Sequence, residues 1–160
     1  MKVLQIGSSL DYVREFGCYF RTALSMAEDE ARRELTVAQV DEIAEALRKS
    51  GRIDDECTMK EKDSFKKAFE LVFGFFDTKK VGDQVGEIKL THFDASPTAI
   101  LNTWNANYWQ HTALCFPARD GSGDHWVHGD AVFQQKWDPY GWAGIRVGLK
   151  RATLYSFWSK

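Results

Sequence analysis

The chain has 160 residues, of which 44% are hydrophobic and 14% are aromatic. This length and composition predict one compact domain with its own core, and they exclude disordered and collagen-like chains. The 21 Lys and Arg residues against 23 Asp and Glu residues give a formal net charge of −2. A protein held on nucleic acid mainly by its charge is basic, so we expect no nucleic-acid partner.

The sequence carries no sign of membrane insertion or of classical export. No apolar run reaches the roughly 18 residues of a membrane-spanning helix. The first residues, Met1 to Gln5, lack the apolar stretch of a signal peptide, which favours a cytoplasmic location. Export by a phage-encoded or other non-classical route stays open, and nothing indicates an oligomeric state. Three cysteines, an odd number, favour a reducing compartment over a disulfide framework.

Helical spacing of apolar residues is typical of the first half of the chain, about residues 1–80. Three helices are predicted, over about residues 17–34, 36–50 and 60–73. Thr36 and Gln39 form a capping-box pattern at the start of the second helix. Gly74 is expected to end or bend the third helix.

The second half, about residues 81–160, is rich in aromatic, glycine and β-branched residues, which is typical of strands. Strands are predicted over about residues 87–93, 109–117, 145–149 and 154–158, with one or two return strands over 124–137 and a short helix starting at Ser96-Pro97. A turn at residues 120–123 separates two of these strands. Helices followed by antiparallel strands predict an α+β fold in a single domain over residues 1–160.

Cys18 is the residue with the clearest indication of chemistry. It is predicted in the first turn of an apolar helix, where free N–H groups and the helix dipole stabilise a thiolate and lower its pKa. The same N–H groups can donate to the oxyanion of an acyl transfer. The preceding Gly17 would allow a substrate to approach closely and would allow an unusual backbone angle. The alternative for Cys18 is a small cysteine buried in the core.

A thiolate nucleophile needs a base and a group that orients the base. Of the four histidines, His111 is expected at the start of an apolar strand, and Asp138 at the end of the segment that returns from it. An antiparallel hairpin with a bulge near Val127 to Asp130 can bring the two together. Asp138-Pro139 is also a common turn signal, which is the alternative for Asp138.

Together these residues resemble the papain-like cysteine hydrolases, in particular the compact bacterial branch with bacteriocin-leader peptidases and peptidoglycan-cleaving relatives. The matching segments are Gly17-Cys18-Tyr19-Phe20 at a helix start, His111 at a strand start and Trp137-Asp138-Pro139 at a strand end. The chain is also similar to a little-characterised bacterial and phage family. That family has a Gly-Cys-Tyr-Phe start and a Gly-x-Ile-x-x-x-Cys segment, which here is Gly51 to Cys57.

The resemblance implies a helical subdomain packed on a small antiparallel sheet, with a cleft between them. It implies Cys18 as nucleophile, His111 as base and Asp138 as orienting residue of a thiol peptidase or amidase. The implied substrate is a peptide or a peptidoglycan stem peptide, cleaved through an acyl-enzyme with no cofactor and no metal. Relatives carry a Gln shortly before the cysteine as an oxyanion donor. Here Gln5 is the nearest upstream Gln, and the Tyr12 hydroxyl is the alternative donor.

Aromatic residues crowd the segments around the expected base and its partner. The cleft is expected to be lined by Gly17, Tyr19, Trp109 and Trp137. Aromatic rings of this kind either fill a core or form a surface on which a sugar or an extended peptide stacks.

Two other functions stay open at this level. One is a catalytically inactive papain-like module that binds a peptide or protein partner, which the absence of a Gln directly before Cys18 favours. The other is a metal-dependent hydrolase that uses His125 and His128 with Asp124 and Asp130, since two histidines flanked by carboxylates can bind a divalent ion.

Overall fold

The computed structural model describes residues 1–59, 62–76, 85–90, 111–129, 135–142 and 148–157. The helix predicted at Ser96-Pro97 and the expected cleft residue Trp109 lie outside these ranges. Within them, the helices come first and an antiparallel sheet follows, so the predicted α+β class is confirmed. None of the described helices combines the length and the apolar character needed to cross a bilayer.

The described helical part begins with a 3-10 turn, Gln5–Gly7, and continues with four α-helices. These are α1 (Asp11–Phe16), α2 (Cys18–Ala31), α3 (Val37–Lys49) and α4 (Lys62–Phe75). Helix α2 begins at Cys18 as predicted. The capping box of α3 is confirmed, because the Thr36 hydroxyl accepts from the Gln39 N–H and the Gln39 side chain accepts from the Thr36 N–H. Helix α4 continues through Gly74, where we expected an end or a bend.

The described strands form one antiparallel sheet in the order β1-β5-β2-β3-β4. The strands are β1 (Val85–Leu90), β2 (His111–Pro117), β3 (Asp124–Gly129), β4 (Gln135–Trp137) and β5 (Arg151–Phe157). The predicted turn at residues 120–123 joins β2 to β3, with Pro117 opposite Asp124. The pairing of β3 with β4 shifts register between His128 and Gly129.

Helix α2 lies between the other helices and one face of the sheet. Its apolar residues, such as Phe20 and Leu24, are fully buried in a core that reaches Ala113 on β2 and Tyr155 on β5. A smaller apolar cluster covers the opposite face of the sheet, around Leu114 and its neighbours. Because side chains alternate along a strand, consecutive residues of β3 point to these two different environments.

Gly17, which joins α1 to α2, leaves no space for a side chain. Its φ of −86° and ψ of 19° are accessible to other residues, so the unusual angle that we expected is not the reason for glycine. A Cβ atom would lie 2.5 Å from the Val13 carbonyl oxygen, the acceptor of the Gly17 N–H. Close packing against α1 therefore requires glycine at this position.

We expect Gly17→Ala to lower the free energy of unfolding by about 1–3 kcal/mol, because the added methyl group overpacks the α1–α2 junction. Urea denaturation followed by circular dichroism measures the change. Gly74→Ala is the matched control, since a Cβ atom there meets nothing within 4 Å. It is expected to be neutral or to stabilise the helix by up to about 1 kcal/mol. Equal midpoints for the two variants would contradict the packing explanation.

Candidate active site

Cys18 is the first residue of α2, and its side chain is half-buried. The thiol sulfur accepts hydrogen bonds from the backbone N–H of Trp126 in β3 and from the N–H groups of Cys18 and Tyr19 at the helix start. Burial nevertheless raises the pKa of the Cys18 thiol, because desolvation outweighs these hydrogen bonds. The direction of this shift is opposite to the lowered pKa that we expected from the helix dipole.

His111 lies at the opposite end of α2 from Cys18. Its Nε2 donates to Glu30 Oε1 at 2.8 Å, and its Nδ1 lies 3.0 Å from His128 Nε2. Glu30 follows Cys18 by twelve residues in the same helix. That separation corresponds to about 18 Å at the rise of an α-helix. The structure thus contradicts the prediction that His111 is the base for Cys18.

Strand register explains why His111 and Asp138 are apart. We expected a single hairpin about residues 120–123 to bring Asp138 to His111. In the structure β3 ends at Gly129, opposite Thr112 and next to the His111 end of β2. The chain then runs back along β3 as β4, which carries Asp138 toward the start of β3. A second hairpin therefore decides which histidine Asp138 meets.

Asp138 forms its hydrogen bond with His125. Nε2 of His125 lies 2.7 Å from Oδ1 of Asp138, and both side chains are buried. The imidazole stacks on the Tyr140 ring, with centroids 4.1 Å apart and planes 15° from parallel, and Trp142 lies at 5.3 Å. A carboxylate at Nε2 fixes the tautomer of an imidazole and leaves Nδ1 as the acceptor nitrogen. The histidine that Asp138 contacts is thus His125 and not the expected His111.

A tight turn fixes the position of Asp138. Its Oδ1 also accepts from the Tyr140 N–H at 2.7 Å, and its carbonyl accepts from the Gly141 N–H at 2.8 Å. Pro139 favours the bend, and Gly141 has a φ of 76°, which favours glycine. The Pro139 carbonyl accepts from the Gln5 N–H at 2.8 Å, which ties the N-terminal segment to this turn. Asp138 is therefore both a turn former and the partner of the histidine.

Of the two expected oxyanion donors, Gln5 lies in this region and Tyr12 does not. Gln5 is buried, it interacts with the Tyr140 hydroxyl, and its Nε2 donates to the Arg14 carbonyl at 2.9 Å. The Tyr12 hydroxyl donates to Glu45 Oε1 on α3 at 2.8 Å. Burial and this carboxylate raise the pKa of Tyr12, so the hydroxyl keeps its proton and donates it in the hydrogen bond to Glu45 on α3. The structure therefore contradicts Tyr12 as an oxyanion donor.

Two clefts, of about 480 and 730 Å³, open at Cys18 and share the lining residues Phe16, Cys18 and Asp124. Tyr19, one of the expected cleft residues, lines the first, and Tyr140 lines the second. Cys18 thus borders both clefts.

Trp137, another expected cleft residue, lies on β4 away from these clefts. The Arg21 guanidinium is 4.7 Å from the centroid of its ring, and the Lys2 ammonium is 5.6 Å from it. Its indole therefore packs against cations of α2 and of the N-terminal segment and not at the two clefts beside Cys18.

The residues of the alternative metal site do not come together. His125 and His128 are three residues apart on β3, so their side chains point to opposite faces of the sheet. His125 binds Asp138, and the Asp124 carboxylate pairs with two cations of the β5 region. Asp130 lies outside the described residues. The structure thus contradicts a metal site made of both histidines.

Comparisons of this chain with family models, with curated proteins and with solved structures found no match. A functional argument therefore depends on the geometry of the residues themselves. The residues whose chemistry suggests a reaction are Cys18, whose thiol lies beside β3, and the buried pair of His125 and Asp138.

Proposed function

We propose that this chain is a cysteine hydrolase that cleaves an amide bond through an acyl-enzyme at Cys18, with His125 as base and Asp138 as orienting residue. The proposal is carried by the buried pair of His125 and Asp138, whose Nε2 and Oδ1 atoms lie 2.7 Å apart. His125 belongs to β3, the strand that contacts the Cys18 thiol through the Trp126 N–H. A thiol at a helix start, facing a sheet that carries a histidine–carboxylate pair, also supports a papain-like fold for this α+β domain.

Helix α2 covers the edge of β3 where thiol and base would meet. The Trp126 N–H donates to the Cys18 thiol, and the Trp126 carbonyl accepts from the Thr22 hydroxyl at 3.3 Å. The nitrogen that the thiol contacts belongs to the peptide bond between His125 and Trp126. Along this edge, β3 pairs with β4 at His128 and Gly129. At Trp126 the same edge is covered by α2. His125 points to the sheet face opposite α2, and Tyr140, which stacks on its ring, lines the second cleft together with Cys18.

Because the resting Cys18 is a thiol, the first step requires proton transfer. Nδ1 of His125 takes the thiol proton while the sulfur attacks the carbonyl carbon, which forms a C–S bond and an oxyanion. The N–H groups at the start of α2 donate to this oxyanion, and Gln5 lies nearby as a further donor. The imidazolium then protonates the leaving nitrogen as the C–N bond breaks. Water, deprotonated by the same imidazole, finally hydrolyses the thioester and restores the thiol.

The clefts support a peptide or a peptidoglycan stem peptide as substrate. The wall of the first cleft includes Phe16, Phe65 and Trp126, which suits apolar parts of a peptide chain. The second cleft brings the carboxylates of Glu15 and Asp120 beside aromatic rings, with Arg14 in the same lining. Those carboxylates suit an amine, and stem peptides contain a diamino acid.

A second candidate function is a papain-like module that binds a peptide or protein partner without cleaving it. The observation that favours it is the raised pKa of the Cys18 thiol, because a thiol is a much weaker nucleophile than a thiolate. The two functions share the clefts and differ only in whether Cys18 reacts.

Incubation with a peptide library and with soluble peptidoglycan fragments separates the two functions. We expect mass spectrometry to find new amine and carboxylate ends, and a thioester on Cys18 after acid quenching. Cleavage should be lost in Cys18→Ala and kept in Cys115→Ala, which alters a cysteine buried in the sheet core. Equal peptide binding by the wild type and Cys18→Ala, with no cleavage by either, would contradict the hydrolase and support the binding module.

A further inference from the structure

A cluster of metal-ligating side chains lies at the far end of α2, outside the proposed catalytic site. His111 Nδ1 and His128 Nε2 lie 3.0 Å apart, and Asp29 Oδ2 lies 3.7 Å from His128 Nδ1. Each of the three residues offers one ligand atom such that all three atoms lie within 4.8 Å of one another. We propose that Asp29, His111 and His128 bind a divalent transition-metal ion of the zinc type.

Glu30 determines which nitrogen of His111 is available as a ligand. Its carboxylate accepts from His111 Nε2 at 2.8 Å, so Nε2 carries the hydrogen and Nδ1 presents its lone pair toward His128. A carboxylate behind a histidine ligand is the usual arrangement around protein-bound metals, because it orients the ring and raises its basicity. On the other ring, Nδ1 of His128 lies 2.8 Å from the Ser25 hydroxyl. Both rings thus have a polar partner behind the nitrogen that would bind the ion.

The spacing of the two ring nitrogens suits zinc. Bonds of about 2.0–2.1 Å at a tetrahedral angle put two nitrogen ligands about 3.3 Å apart. The observed separation is 3.0 Å, and the Asp29 carboxylate, within 4.8 Å of a nitrogen of each ring, moves closer when all three bind one ion. Two imidazoles and one carboxylate form a donor set that zinc and similar divalent ions accept, with a fourth position left for water.

The same groups form a continuous hydrogen-bond chain, which sets the cost of binding an ion. The Lys2 ammonium lies 2.6 Å from Ser25 Oγ and 2.6 Å from Asp29 Oδ1, so the Ser25 hydroxyl donates to His128. Metal binding moves the His128 proton from Nε2 to Nδ1 and turns the Ser25 hydroxyl from donor to acceptor, with no net release of a proton. Lys2, and Lys136 at 3.4 Å, also compete with the ion for the Asp29 carboxylate.

An entry path to the cluster exists on the surface. Asp29 is half-buried and lines a cleft of about 430 Å³ with the acidic residues Glu28 and Glu34 and the basic residues Lys2, Arg32, Arg33 and Lys136. The two histidines are buried. An ion entering through this cleft meets the carboxylate first and displaces the lysine ammonium groups.

Titration of the metal-free full chain with Co²⁺, followed by displacement with Zn²⁺, tests the site. We expect one Co²⁺ per chain, with d–d absorption but without the intense thiolate-to-cobalt band that coordination by a cysteine would give. Glu30→Gln should weaken Zn²⁺ affinity by about 10–100-fold, and His111→Gln by roughly 100-fold or more. Lys2→Met should strengthen affinity, because it removes the ammonium that competes for Asp29.

Lys2→Met keeps the test decisive if a histidine variant fails to fold, because this variant retains all three ligands. His125→Gln is the matched control and should leave the Zn²⁺ affinity unchanged. The proposal is overturned by the lack of stoichiometric Co²⁺ binding in both the wild type and Lys2→Met, by a thiolate-to-cobalt band, or by equal affinity in folded His111→Gln. Because the readout is binding, its failure is distinct from failure of the proposed hydrolase.

Discussion

His125→Gln is expected to lower kcat/KM for amide cleavage by about 10²–10⁴-fold, because the variant loses the base that takes the proton of Cys18. The raised pKa of the thiol makes this loss large, since few molecules carry a thiolate without a base. His111→Gln is the matched comparison, because His111 is also a buried histidine of the same sheet. In the presence of a chelator, His111→Gln should retain at least roughly a third of the wild-type kcat/KM.

Asp138→Asn should act through His125 and not through the substrate. An amide that donates to Nε2 would stabilise the wrong imidazole tautomer, which costs about 10⁴-fold in kcat in a Ser-His-Asp triad. KM should change little, because Asp138 is buried behind the histidine ring. Circular dichroism of each variant separates chemical loss from unfolding. A His111→Gln loss as large as that of His125→Gln would show that the base is assigned incorrectly.

Glu28→Gln is expected to lower the free energy of unfolding by about 3–5 kcal/mol, because it leaves the Arg21 charge buried without its counter-ion. Arg21 Nη2 lies 2.9 Å from Glu28 Oε1, and both side chains are fully buried. Arg21 Nε also donates to the Val3 carbonyl, and Glu28 Oε2 accepts from the Leu35 N–H. This pair thus ties both ends of α2 to neighbouring segments.

Denaturant unfolding of three variants tests this expectation. Glu34→Gln is the control, because Glu34 forms an exposed ion pair with the N-terminal amine. An exposed pair contributes at most about 1 kcal/mol. The double variant Arg21→Met with Glu28→Leu should recover most of the lost stability, since an apolar pair of similar volume needs no counter-charge. A Glu28→Gln loss no larger than that of Glu34→Gln would contradict the account.

Features that depend on neighbouring residues were predictable from the sequence. The capping box at Thr36 and Gln39 determines where α3 begins, and both of its hydrogen bonds are present. Cys18 begins α2 as expected from Gly17 and from the apolar spacing that follows. The order of helices and strands predicted the α+β class for the same reason.

The histidine that Asp138 contacts could not be predicted from neighbouring residues, because the contact depends on strand register. Asp138 belongs to the β3–β4 hairpin, whereas the prediction used the β2–β3 hairpin. The pairing of His128 with Trp137 leads the chain into the turn at Asp138, and Tyr140 of that turn stacks on His125. A histidine thirteen residues before an Asp-Pro turn was therefore the available signal in the sequence.

Two further features depend on burial and on long-range contacts. The helix dipole alone predicts a lowered pKa for the Cys18 thiol, but the packing that buries the thiol against β3 raises it. The Tyr12 hydroxyl is engaged by Glu45, thirty-three residues away in sequence. Neither the packing nor this contact has a local sequence pattern.

Acylation of Cys18 by p-nitrophenyl acetate tests the central claim most directly, because it needs no knowledge of the natural substrate. Single-turnover mixing at neutral pH, with the adduct located by peptide mass spectrometry, gives the rate at this one sulfur. If His125 is the base, the rate is at least about 100-fold lower in His125→Gln and within about threefold of the wild type in His111→Gln. Equal rates in the two variants, or an acetyl group found on other residues but not on Cys18, would contradict it.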